Sequence, residues 1–156
     1  MLKRYCLLLS TTLLFAGCSI NDDYYDRDVF IKTEGLELYG CYNTKDNLYV
    51  PTLNGNEFTI ITNARDYRNL VQGCNTSVDF RYFDLIIGQY WVQSNTEDIK
   101  YMYKKNRYNE YILFVEFLQN RGGRAKYVTY HALVPKLHPS DPVFVETKES
   151  HLGNLK

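Results

Sequence analysis

The sequence predicts an α+β, mostly β domain, in which an antiparallel sandwich or barrel-like sheet carries one short helix. Tyrosine, which favours strands, occurs 15 times. Short apolar stretches alternate with turn signals along most of the chain, and only one segment has helical spacing. Because there is no internal repeat and no low-complexity tract, residues 28–147 are expected to form a single domain.

The first predicted elements are short and extended. Residues 28–32 and 36–42 are expected to be two extended stretches. Residues 48–50 and 58–62 are expected to form two strands around a turn, because Asn54-Gly55 supplies the positive φ values that a tight hairpin needs.

The one predicted helix follows these strands. Asn63 is a suitable N-cap, and Asp66 lies in the first turn, where an acid interacts favourably with the helix dipole. Tyr67, Leu70 and Val71 fall at positions i, i+3 and i+4, so they form one narrow apolar face. We expect this face to pack on a sheet.

The second half of the chain predicts a meander of strands. Residues 84–92 contain the run Leu85-Ile86-Ile87, which predicts a strand buried on both faces. Apolar and polar side chains alternate over residues 99–104, as they do in a strand with one solvated face. The remaining expected strands cover residues 111–118, 126–133 and 143–146. The polar segment 148–156 is expected to be a frayed tail.

The start of the chain has the pattern of a secretory signal. Lys3 and Arg4 precede an apolar stretch over residues 5–16, which is the order of a basic region and a short hydrophobic region. A helix that spans a bilayer needs about 20 apolar residues, and this stretch is shorter. Residues 1–17 are therefore predicted to be a signal peptide.

The predicted signal ends in Phe15-Ala16-Gly17-Cys18. This motif resembles the lipobox of bacterial lipoproteins, in which the cysteine thiol receives a diacylglycerol before the signal is removed. The small Ala16 and Gly17 suit the peptidase, and Phe15 departs from the usual leucine. The resemblance implies cleavage after Gly17 and lipidation of Cys18, so that labelled palmitate should enter the protein. The alternative is an ordinary signal peptide that leaves Cys18 as a free thiol, which is a liability in an oxidising compartment.

Residues 18–27 are predicted to be an acidic tether that cannot form a core by itself. Acidic residues directly after the lipidated cysteine, here Asp22 and Asp23, resemble the signal that sends some Gram-negative lipoproteins to the outer leaflet of the outer membrane. Ser19 argues against retention in the inner membrane. We therefore expect a lipid anchor in the outer membrane with display on the cell surface, and a periplasm-facing anchor is the alternative.

Four cysteines reduce to two in the mature chain, because Cys6 leaves with the signal and Cys18 takes the lipid. Cys41 and Cys74 are expected to form a disulfide in an oxidising compartment. The alternative is two separate buried thiols, which behave as small hydrophobic side chains. Neither their spacing nor their neighbours indicates a metal site.

Charge and composition exclude some partners. Removing Lys3 and Arg4 from the 18 basic residues leaves 16 against 18 acidic ones. This balance gives no electrostatic reason to expect nucleic acid or an anionic membrane surface as a partner.

Four motifs follow one another in residues 57–146: Phe58-Thr59-Ile60-Ile61-Thr62-Asn63, a short helix with Tyr67 and Leu70, Val78-Asp79-Phe80, and Ala132-Leu133-Val134-Pro135-Lys136. Their order resembles the PrcB-type domain, named after the accessory subunit of a spirochaete surface protease complex. The resemblance implies a β-rich, non-enzymatic module on a secreted or anchored protein, and it carries no catalytic residues. The accessory subunit supports maturation and stability of its partner protease, but the resemblance does not imply the same partner here.

The residues offer no catalytic set. His131 is a lone histidine in a predicted strand, where packing is its common role. A nucleophilic pair of Cys74 and His131 would lose its thiol to the disulfide, and no oxyanion motif accompanies it. Gly122-Gly123 lacks the strand-to-helix setting of a phosphate loop. We therefore predict neither an enzyme nor a cofactor or metal site.

The predicted function is a non-enzymatic protein-binding or accessory module with an envelope or extracellular protein as its partner. Its expected binding surface includes Trp91, Tyr90, Tyr108 and Arg121, because rigid sheets commonly display binding loops. One alternative is an inhibitor or immunity lipoprotein that acts against a toxin or protease. Another is a carbohydrate-binding subunit that stacks sugars on Trp91 and tyrosines.

Overall fold

The computed structural model describes residues 28–152. The predictions for residues 1–27, namely the signal peptide, lipidation at Cys18 and the acidic tether, lie outside the described residues. Within residues 28–152, no helix is long and apolar enough to cross a bilayer. The elements in chain order are β1 (Val29–Ile31), a 3₁₀ helix (Leu36–Tyr39), α1 (Thr44–Asn47), β2 (Phe58–Ile61), α2 (Ala64–Leu70), β3 (Phe83–Val92), β4 (Thr96–Lys105), β5 (Tyr111–Gln119), β6 (Lys126–Pro135) and β7 (Val143–His151).

The strands form two sheets, which confirms the mostly β fold class. Sheet A has the order β1-β4-β5-β7, and sheet B has the order β2-β3-β6. The expected meander is wrong, since only β4 and β5 form a hairpin within one sheet, whereas the chain crosses between sheets before and after β6. All pairs are antiparallel except β5 with β7, which is parallel.

Sheet B is the middle layer of the molecule. Its β3 residues Leu85, Ile86 and Ile87 are fully buried, which confirms the prediction of a strand covered on both faces. Ile86 packs in a core between the two sheets, while Leu85 and Ile87 pack in a second core under the N-terminal segment. That second core includes Tyr67 of α2, so the predicted helix packs on a sheet as expected.

Two predicted N-terminal elements differ from the structure. Residues 36–42 begin with the 3₁₀ helix and are not extended, because the chain turns back so that the N–H of Cys41 bonds to the carbonyl of Leu36 and both side chains enter the second core. Residues 48–50 do not pair with β2; Tyr49 forms an isolated bridge with Gln72. Of the pair predicted to turn the chain, Gly55 has a positive φ of 69°, whereas Asn54 does not.

The C-terminal strand is longer than predicted. β7 continues to His151, where it pairs with Gln119 at the end of β5. Ser150 donates a hydrogen bond to Glu116 of β5 at 2.6 Å, and Glu149 accepts one from the Gln119 side chain. The expectation of a frayed tail is therefore wrong for residues 148–151, because their pairing with a distant strand fixes them.

Candidate functional site

The solvent-facing side of sheet A carries a group of apolar side chains, three of which are exposed. In β4 and β5, alternate residues such as Tyr103, Leu113 and Val115 are buried against sheet B. The intervening residues point away from the core. We define the outer face by the five apolar side chains that sheet register places on this side: Phe30, Met102, Ile112, Phe114 and Phe144.

The register brings residues from four strands side by side. Phe30 of β1 pairs with Lys104, Lys104 pairs with Ile112, and Ile112 pairs with Phe144 of β7. In the next row Met102 lies beside Phe114. The three most exposed members of the outer face are Phe30 at 65%, Phe144 at 48% and Met102 at 41%. Apart from Lys104, which lies between Phe30 and Ile112, these neighbouring side chains form an apolar patch, which is a feature of interaction sites.

Charged side chains lie within and beside this patch. Lys104, which stands between Phe30 and Ile112, makes an ion pair with Asp28 at 2.7 Å. Beside the patch, Lys148 lies 3.6 Å from Glu116. The hydrogen bond from Ser150 is the main reason why the pKa of Glu116 lies below its usual value, so this carboxylate is ionised at neutral pH. The outer face therefore presents apolar side chains with charged ones among and beside them.

A shallow depression of about 660 Å³ adjoins the patch at the β4–β5 turn. Its floor includes Phe30 and Ile112, and its rim includes Tyr108, which is 66% exposed. The Asn106 side chain accepts hydrogen bonds from the backbone N–H groups of Tyr108 and Glu110, at 2.9 and 3.0 Å. These bonds hold the turn in place, so the rim is rigid as well as exposed.

The structure does not bring the four predicted binding residues together. Trp91 is 39% exposed and lies near the β5–β6 connection that contains Arg121. Tyr108 lies at the other end of the ten-residue strand β4, about 30 Å away by strand rise. Tyr90 is half-buried and stacks on Phe117 between the sheets, with ring centroids 5.0 Å apart.

Trp91 has one aromatic neighbour on its own sheet. The Tyr127 ring meets it edge-on, with an interplanar angle of 66° and centroids 4.9 Å apart. A platform for stacking sugars needs rings in a common plane, which this pair does not provide.

His131 is buried and has two polar contacts at one nitrogen. Its Nε2 accepts from the backbone N–H of Leu36 at 3.1 Å and lies 3.3 Å from the Glu37 carboxylate. The first contact needs an unprotonated Nε2 and the second a protonated one, so the two hydrogen bonds exclude each other. When Nε2 carries the proton, its hydrogen bond to Glu37 is the largest effect that lowers the pKa of this carboxyl to about 2, and a hydrogen bond from Thr44 acts in the same direction. These contacts attach the 3₁₀ helix, which contains Leu36 and Glu37, to β6.

The disulfide between Cys41 and Cys74 removes the thiol that a nucleophilic pair with His131 would need. The structure joins the two cysteines, with Cα atoms 5.6 Å apart. Within the described part of the chain, no three His, Cys, Asp or Glu side chains are grouped so that they could hold a metal ion.

An ion pair between the buried Asp84 and the partly exposed Lys136 lies in the wall of a second cavity, of about 460 Å³, between the ends of the sheets. Asp84 is 1% exposed, and its oxygens accept from Lys136 Nζ at 2.6 Å and from the N–H of Leu137 at 2.9 Å. Lys136 also donates to the carbonyl of Thr62, at the end of β2. The ion pair thus connects the ends of all three strands of sheet B. Both charged groups already have partners within the protein.

The chain matches no family model, no curated protein and no solved structure. The likeness to the PrcB-type domain and to bacterial lipoproteins therefore stays a prediction from the sequence.

Proposed function

We propose that this protein is a lipid-anchored lipoprotein of the outer membrane, exposed on the cell surface, that acts as a non-enzymatic protein-binding or accessory module. The observation that carries the proposal is the outer face of sheet A, where exposed apolar side chains lie among charged ones. Protein interfaces commonly combine aromatic and Met side chains with charged groups. Phe30, Met102 and Phe144 supply the exposed aromatic and Met side chains.

The shape of the outer face favours a protein partner over a small ligand. Small-molecule sites enclose most of the ligand surface, whereas the outer face is a sheet surface that opens into a shallow depression. A carbohydrate partner is less favoured, because the Trp91 and Tyr127 rings do not share a plane.

The proposed anchor is compatible with access to this face. The ten tether residues 18–27 span at most about 36 Å when extended. They join the domain at Asp28, which borders the depression. A partner would therefore bind close to the attachment point of the tether.

Capture from an envelope extract tests the binding surface. Wild-type protein is compared with the double variant Met102→Ser/Phe144→Ser, and with Leu38→Ser, which removes an apolar side chain that is 73% exposed on the 3₁₀ helix. We expect one specific partner to be retained by the wild type and by Leu38→Ser, and to be lost by the double variant. Equal capture by all three proteins would contradict a role of the outer face.

Metabolic labelling tests the anchor. Cells that are grown with labelled palmitate should incorporate it into the wild-type protein and not into Cys18→Ala. Protease added to intact cells should then degrade the wild-type protein if it faces the medium. An unlabelled, freely soluble wild-type protein would refute the anchor, whatever the result of the capture experiment.

A further inference from the structure

The strand β7 is an open edge of sheet A. It pairs with β5 on one side over all nine of its residues, from Val143 to His151. In the sheet order nothing follows β7, and none of the backbone hydrogen bonds within residues 28–152 joins its other side to another segment. Its outward N–H and C=O groups are therefore available to a further strand.

The sequence of β7 is complementary to itself when it is reversed. We propose that two copies of this chain pair antiparallel through β7 around a two-fold axis at Thr147, so that their two A sheets form one eight-stranded sheet. Thr147 is the middle residue of the nine, so every residue of one strand faces a residue of the other. Such an interface is closed and uses the same surface of both copies.

Each cross-strand pair in this register is favourable or neutral. Glu146 faces Lys148 of the second copy, and because of the symmetry this ion pair occurs twice. Thr147 faces Thr147 of the second copy, and Thr–Thr pairs are favourable between neighbouring strands. The three outer pairs join Phe144 with Ser150, Val145 with Glu149, and Val143 with His151.

The neighbouring symmetric registers are unfavourable. Moving the axis by one residue toward the N-terminus places Glu146 opposite Glu146, and moving it by one toward the C-terminus places Lys148 opposite Lys148. Like charges that face each other directly destabilise strand pairs. The alternation of charges on β7 therefore selects a single register and discourages unspecific edge-to-edge aggregation.

A second copy is favoured over a foreign strand because the complementarity is found within β7 itself. Both Glu146 and Lys148 are exposed. In the dimer the two outer faces would lie on the same side of the joined sheet, since residues that face each other across an antiparallel pair point the same way.

Charge reversal on co-expressed, full-length chains tests the dimer. Two differently tagged copies are made in the same cells and extracted with a mild detergent, and the second tag is measured after purification of the first. Wild-type copies should co-purify. Lys148→Glu in both copies, or Glu146→Lys in both, sets two like-charged pairs across the interface and should lower recovery at least about tenfold.

The mixed pair is the decisive comparison. Glu146→Lys on one tag and Lys148→Glu on the other restores two opposite-charge contacts, so recovery should return to the wild-type level. Because each of these chains fails to pair with itself, recovery also shows that both are folded. The matched control Arg124→Glu reverses an exposed charge away from β7 and should co-purify like the wild type.

Three results would overturn the proposal. Wild-type copies that do not co-purify would show that the edge stays open or takes a different protein. Lys148→Glu copies that co-purify like the wild type would place the contact elsewhere, or in a shared detergent micelle. Failure of the mixed pair to recover would refute the Thr147-centred register.

Discussion

Replacing both cysteines of the disulfide by alanine should destabilise the protein by about 4 to 5 kcal/mol. Cys41 and Cys74 are separated by 33 positions, and closing a loop of that length stabilises a fold by about 3.8 kcal/mol on the chain-entropy model. Loss of the sulfur atoms, one of which is in the buried Cys41, adds about 1 kcal/mol of lost packing. A domain of this size has a total stability of about 5 to 15 kcal/mol, so the variant should remain marginally folded.

Urea unfolding followed by the fluorescence of Trp91, the only tryptophan, measures this effect. With a slope of about 1.5 kcal/mol/M, the midpoint should fall by about 3 M in the variant Cys41→Ala/Cys74→Ala. Reduction of the wild-type protein with a thiol reagent should produce a similar fall, whereas the variant should not respond to the reagent. A shift below about 0.5 M would refute the reasoning, as would alkylation of Cys41 and Cys74 in unreduced, denatured protein.

Three further substitutions test the packing and the electrostatics. Gly88→Ala should lower the free energy of unfolding by about 2 kcal/mol, because the new Cβ would lie 2.3 Å from the Tyr130 hydroxyl. Thermal unfolding measures this loss of stability. Lys136→Met should also lower the free energy of unfolding by about 2 kcal/mol, because it leaves the buried Asp84 without its cation. The loss is smaller than for a fully buried ion pair because the lysine is partly exposed. Urea unfolding measures this change. Glu37→Gln should remove a stabilisation that the ionised carboxylate provides. In the wild type this stabilisation is fully present above pH 4.5, the ordinary pKa of a glutamate, and is lost as the pH falls toward 2. Unfolding at several pH values should therefore show that the stabilities of the two proteins converge at low pH.

Each of these outcomes has a contrary result. A Gly88→Ala protein as stable as the wild type would mean that the Tyr130 ring can move aside without loss. Asp84→Asn in the Lys136→Met background should recover part of the stability, because an amide needs no cation, and no recovery would contradict the role of the ion pair. A constant difference between Glu37→Gln and the wild type from pH 2 to 6 would contradict the lowered pKa.

Local signals in the sequence predicted most individual elements. Asn63 accepts a hydrogen bond from the N–H of Asp66 at 2.9 Å, as an N-cap does, and α2 begins at the next residue. The run Leu85-Ile86-Ile87 lies in a strand buried on both faces. These predictions hold because caps and apolar runs act within a few residues of the chain, where their physical causes also lie.

The extension of β7 was not predictable from its own residues. Its second half, Thr147 to His151, is polar and resembles a tail. It is a strand because β5 supplies a partner in register, and because Glu116 and Gln119 bond its side chains. Pairing between strands separated by a whole crossover leaves no local pattern, so the sequence does not show it.

The candidate site depended on the same long-range pairing. Alternation along β4 and β5 indicates which side chains share a face of one strand, but not which strands lie side by side. The sequence therefore did not predict the row of Phe30, Lys104, Ile112 and Phe144, whose members come from four strands. Tyrosines and Trp91 drew attention by composition, yet Tyr108 follows β4 of sheet A and Trp91 lies at the opposite end of the molecule, in β3 of sheet B.

By itself the sequence determined the fold class, the helix, the doubly buried strand and the two cysteines that form the disulfide. Only the tertiary structure decided the two-sheet order, the parallel β5–β7 pair and the apolar patch on the outer face. The physical reason is that strand propensity and capping are properties of neighbouring residues. Sheet order and surface patches arise instead when distant segments close large loops to bury a common core.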